Sequence, residues 1–145
     1  MKILVPVDGS KYSLEAVKVA LKYAKATKTD ISLMTVTPYV PGLDLELSAK
    51  ELQRLEAGFK SRGEEVLAEA QKILKSEGVS SSTVLVSAIS PADEVVNTAK
   101  KEKVDLIIIG NRGLGGATSR FLMGSVASKV ATGAPCSVYI TKVAV

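Results

Sequence analysis

A cluster of glycines around one arginine holds the residues of this chain best placed to do chemistry. The apolar run Leu106-Ile107-Ile108-Ile109 stops at Gly110, with Gly113, Gly115 and Gly116 following and Arg112 among them. Gly124-Ser125 then opens a segment of helical character. A buried strand feeding a glycine-rich turn and a helix start is how α/β proteins hold phosphate. Backbone N–H groups are exposed there, the helix N-terminus is electropositive, and glycine lets an anion approach closely. Nucleotide binding is therefore the leading reading, and a plain turn after a strand is its alternative. Two better-known phosphate loops are excluded. No lysine follows either candidate glycine pair, as a GxxxxGK[ST] loop requires, and Thr118 stands where a GxGxxG fingerprint needs its last glycine.

Catalytic machinery is sparse. The chain has no histidine, which removes imidazole acid–base chemistry and histidine metal sites. Cys136 follows Pro135 into an apolar run and reads as a core residue, not a nucleophile. Ser10, Ser13 and Ser125 have no evident base beside them, and helix capping accounts for them. Hydrolysis needs a positioned base and a water, and no residue can be nominated for the first role. The expectation is a binder, with slow hydrolysis of a bound nucleotide as the alternative.

The elements that must position these residues alternate. Met1–Val7 reads as a buried strand ended by Asp8-Gly9. Ser10 caps a helix with Leu14, Val17, Leu21 and Ala24 at helical spacing. Ile31–Val36 is a second strand. Thr37–Leu47, with Pro38, Pro41 and Gly42, reads as a loop and not an element. A long helix is expected over 48–76, with Leu52, Leu55, Phe59, Val66, Ala70 and Ile73 on one face. Gly58 and Gly63 each weaken it by roughly 1 kcal/mol relative to alanine, enough for a kink or break. Thr83–Ala88 is a third strand. Ser90-Pro91-Ala92-Asp93 starts a helix that ends near Lys103, by a serine cap, a proline in the first turn and an acid. Val104–Ile109, Ser125–Thr132 and Cys136–Thr141 complete the series as strand, helix and strand. Such alternation implies an α/β domain with an open, mostly parallel, doubly wound sheet and helices on both faces.

Composition agrees. The 145 residues fit a single domain, 1–145, able to bury roughly 68–70% of its unfolded surface. Hydrophobic residues make up 46% and aromatics only 4%, so the core is aliphatic, as suits strands covered on both faces. The formal charge of +4 is too mild, and aromatics too few, for a nucleic-acid surface. Lys11, Lys18, Lys22 and Lys25 share one side of the first helix and read as its solvated flank. A single cysteine cannot close an internal disulfide, which fits a reducing cytoplasm. No run approaches the ~20 apolar residues of a membrane span.

The chain resembles the universal stress proteins over essentially its whole length. KILVPVDGS, ISLMTV, VDLIIIGNRGLGG and GSVASKVATGAPCSVYIT are similar to that family's landmarks, in the same order. ATP-binding members carry G-x2-G-x9-G-(S/T). Gly110 and Gly113 match the first pair and Gly124-Ser125 the second, but Leu114–Met123 is one residue longer than the usual spacer. The Gly115-Gly116-Ala117 turn can absorb that residue. The resemblance implies a Rossmann-like, adenine nucleotide alpha hydrolase-like sheet ordered 3-2-1-4-5, with a crevice where the order reverses.

By the same resemblance, Pro6, Val7 and Asp8 meet the nucleoside and Val36 the adenine. Gly110, Arg112 and Gly113 line the ribose and phosphates, and Gly124, Ser125 and Val126 hold the phosphates at the last helix. Arg112 also reads as an exposed loop arginine. Asp8 reads as an acceptor for ribose or adenine donors, as a ligand for Mg²⁺ or Mn²⁺ alongside the phosphates, or as a turn aspartate. The family further implies ATP as ligand and a homodimer joined through the fifth strand. A non-nucleotide-binding interaction protein of the same fold is the rival that the longer spacer favours. Related ATP-pyrophosphatases are disfavoured, because DGSKYS replaces their SGGxDS loop.

Overall fold

The computed structural model describes residues 1–114 and 123–143. Five parallel strands form one sheet: β1 (Lys2–Pro6), β2 (Asp30–Pro38), β3 (Ser81–Ala88), β4 (Leu106–Gly110) and β5 (Ser137–Thr141). Their spatial order is β3-β2-β1-β4-β5. Among the described residues five helices connect them: α1 (Lys11–Ala26), α2 (Leu43–Glu46), α3 (Ala49–Lys75), α4 (Pro91–Lys101) and α5 (Ser125–Gly133).

Side-chain alternation along the strands divides the core in two. Ile3 and Val5 of β1, Leu33 of β2 and Ile108 of β4 pack on α1 and α3 through Val17, Val66 and Leu74. Leu4, Met34, Ile107 and Ile109 point the other way, onto Val95 of α4 and Val130 of α5. Every residue of β4 is buried, which is why it reads as an unbroken apolar run.

Three helices start as their sequence dictates. Ser10, Ser48 and Ser90 each accept a hydrogen bond from the backbone N–H three residues on, at Ser13, Glu51 and Asp93. At α3 the Glu51 carboxylate accepts in turn from the Ser48 N–H, closing a capping box. That exchange holds the Glu51 carboxyl below its ordinary pKa.

The structure corrects the local reading in several places. The 37–47 stretch is not wholly a loop, because β2 continues to Pro38 and one helical turn, α2, forms at Leu43–Glu46. Gly42 precedes that turn at φ +85°, and Leu47 N closes it onto Leu43 O at 2.9 Å. Gly58 and Gly63 leave α3 unbroken. A Cβ on Gly63 would lie 2.6 Å from Leu85 Cδ1, so this glycine lets the helix press against β2 and β3. On α1 the buried side chains are Ser13, Ala16, Val17 and Ala20, small residues that allow close seating. Of the expected stripe only Val17 is fully buried, while Leu14, Leu21 and Ala24 flank it. The four lysines of α1 are exposed, as a solvated flank should be. Among the described residues no helix is long and apolar enough to cross a membrane.

Candidate nucleotide site

Strand order reverses at β1, which pairs with β2 on one side and β4 on the other. The connections after β1 and β4 therefore leave in opposite directions, and a crevice opens beyond their carboxyl ends. A cavity of about 590 Å³ occupies it, within the roughly 300–1,000 Å³ typical of small-molecule pockets.

All ten residues expected at the site line this cavity. Pro6, Val7 and Asp8 come from the end of β1, and Val36 from β2. Gly110, Arg112 and Gly113 follow β4, and Gly124, Ser125 and Val126 open α5. Further wall residues had no signal in the sequence. Met34 and Ile109 fall in stretches that read as plain strands and Pro91 in a helix start, while Val95 lies on the buried face of α4. Their place on the wall depends on how α4 packs across the sheet, which no local motif encodes. Leu114 and Met123 also border the cavity, and the eight residues between them, with the expected Gly115-Gly116-Ala117 turn, lie outside the described residues.

Local chemistry explains each contributor. The helix start at α5 differs from the three serine-capped ones. Its N-cap is Gly124, with no side-chain cap, so Ser125 is the first helical residue and not the cap expected of it. The Gly124 N–H is used, donating to Asn111 O at 2.7 Å. The first-turn amides of Ser125, Val126 and Ala127 have no intrahelical partner by geometry. Asn111, which sequence reasoning passed over, ties three elements together. Its N–H donates to Thr141 O at 3.0 Å and its carbonyl holds α5 through Gly124. Its side-chain Oδ1 is buried with no hydrogen-bond partner among the described residues.

Asp8 is the carboxylate among the described wall residues. Its Oδ1 accepts from Ser10 N at 2.9 Å and its Oδ2 from Leu114 N at 3.1 Å. Its own N–H donates to Ser13 Oγ at 3.3 Å. Among the described residues no group of three His, Cys, Asp or Glu could hold a metal ion. A divalent ion would thus have to bring most of its ligands with it, as Mg²⁺ does when bound by phosphates. The described wall offers no second carboxylate to serve as a base.

The residues present fit a nucleotide in kind. Apolar side chains of β2 and α4 suit a flat base, and the uncapped α5 amides with Arg112 suit phosphate. A second cavity, of about 640 Å³, lies between α3 and the ends of β2 and β3 and shares none of these residues.

The chain matches the universal stress protein family over residues 1–142. It is 38% identical over 144 residues to universal stress protein MJ0531 of Methanocaldococcus jannaschii, spanning 97% of this chain and 81% of that protein. The structure of universal stress protein UspA from Lactobacillus plantarum superposes with a TM-score of 0.81 at 25% identity, covering 97% and 96% of the two chains. A universal stress protein solved in complex with cAMP gives a TM-score of 0.72 at 29% identity, covering 97% and 96%. With its sheet order and whole-length match, the chain belongs to the universal stress protein family.

Proposed function

We propose that this chain is an ATP-binding universal stress protein, a cytoplasmic, nucleotide-responsive module that binds its ligand without efficient turnover. The observation that carries this reading is convergence. Ten residues from β1, β2, the turn after β4 and the start of α5 surround one cavity at the switch point of the sheet. A relative at 29% identity was solved with cAMP, which supports an adenine nucleotide as the ligand class. Apolar groups of β2 and α4 would take the base, and α5 amides with Arg112 the phosphates. Any Mg²⁺ or Mn²⁺ would enter with the phosphates, with Asp8 as the protein carboxylate available to it.

A charge placed on α5 separates binding from folding. Ser125→Asp puts a carboxylate in the first turn of α5, which favours the helix by roughly 0.3–1 kcal/mol. The same charge repels phosphate. The expected result is an unliganded protein at least as stable as wild type, with ATP affinity reduced at least about tenfold in calorimetric titration. Unchanged affinity would place the phosphates elsewhere.

A further inference from the structure

The Asp8 carboxylate does something in this fold that nucleotide contact does not require. It bridges β1 to the glycine-rich segment, across 106 residues of sequence, by accepting the Leu114 N–H at 3.1 Å. A second observation agrees. A Cβ on Gly113 would stand 2.6 Å from Asp8 Oδ2, so a side chain at 113 would push the carboxylate out of its present place. The carboxylate is itself held from the other side by Ser10 N, and Ser10 is fixed by its bonds with Ser13 at the start of α1. Both oxygens thus serve separate N–H donors, which a carboxylate can do and an amide, with one acceptor oxygen, cannot.

We propose that Asp8 is a positioning residue, whose carboxylate pins Gly113-Leu114 to the α1 turn and so fixes the backbone that meets the phosphates. Gly113 is glycine, on this account, to admit the carboxylate. The proposal rests on the nucleotide reading of the cavity and names how that site is held in shape. It also reverses an expected sign. Removing a negative charge beside an anion site strengthens anion binding by Coulomb's law. Loss of a positioning carboxylate weakens it.

The test uses two variants with opposite electrostatics, Asp8→Asn, which loses the charge, and Gly113→Ala, which keeps it and crowds the contact. Amide hydrogen exchange at Leu114 is measured without ligand, and affinities for ATP and for inorganic tripolyphosphate are measured by calorimetry. Tripolyphosphate has no ribose or base for Asp8 to touch. In both variants Leu114 exchange should accelerate, and both affinities should fall by the same factor, roughly tenfold, the scale of one hydrogen bond to a charged acceptor. Unchanged exchange at Leu114 overturns the proposal. So does Asp8→Asn that weakens ATP but leaves tripolyphosphate equal or tighter, since Asp8 would then contact the nucleoside directly. Should Asp8→Asn fail to fold, Gly113→Ala decides alone. Wild type that binds neither ligand overturns the nucleotide reading together with this inference, and that outcome is recognised before any substitution is made.

Discussion

Gly58 and Gly63 have the same intrinsic cost in an isolated helix and opposite roles in this one. A Cβ on Gly58 meets nothing within 4 Å, whereas one on Gly63 meets Leu85, Thr37 and Thr35. Gly58→Ala should therefore stabilise the protein by up to about 1 kcal/mol, the propensity difference alone. Gly63→Ala should destabilise it, because overpacking costs about 1–3 kcal/mol and outweighs that gain. Urea denaturation of the two variants checks the signs, and a stabilising Gly63→Ala would show that α3 can lift off the sheet freely. The same distinction runs through the site. Gly110 and Gly113 were legible as motif glycines, but their reasons were not. Gly110 faces the backbone of Tyr12, at 2.7 Å from a built Cβ, and Gly113 faces Asp8. A sequence shows that a side chain is missing and not what fills its place. Cys136 is half-buried and packs against the α4–α5 side of the core. Burial pushes its thiol pKa up, the Ile107 backbone hydrogen bond partly opposes this, and the Asp105 charge adds to the rise.

Elements with a period or a cap were readable in advance, and short or context-dependent ones were not. The serine starts of α1, α3 and α4 are written locally, while the single turn of α2 is too short to show a period. Strand β5 makes a sharper case, because its outer side can be assigned. Thr141 O accepts from Asn111 N, so Thr141 faces β4. By strand alternation Tyr139 and Ser137 do likewise, and Val138 and Ile140 turn their N–H groups outward. Among the described residues β5 is an edge strand, and an apolar edge of this kind invites strand addition. We propose antiparallel pairing of β5 with its twin about a two-fold axis, with Lys142 limiting further growth. Proline is tolerated where an edge strand's N–H faces outward, so Val138→Pro and Ile140→Pro should leave the β4–β5 ladder intact. Light scattering should find the wild type dimeric at micromolar concentration and the proline variants monomeric. Dimeric proline variants, or a monomeric wild type, would remove β5 from the interface.

At the scale of the whole molecule, the order β3-β2-β1-β4-β5 creates the site before any side chain is considered, by parting the connections after β1 and β4. Strand and helix alternation made the sheet class legible, and the resemblance carried by four motifs supplied its order. The contribution of α4 to the cavity wall was not legible, because it arises from packing on the far face of the sheet. A ligand bound there touches both halves of the chain, from Pro6 to Ala127, and so links binding to global stability. At 100 times its dissociation constant such a ligand adds about 2.7 kcal/mol. Thermal unfolding of the purified protein with and without ATP and Mg²⁺ measures that link directly. For a chain of this size the nucleotide reading predicts a rise in Tm of about 5–10 °C at saturating ATP. An unchanged Tm at millimolar ATP would contradict it.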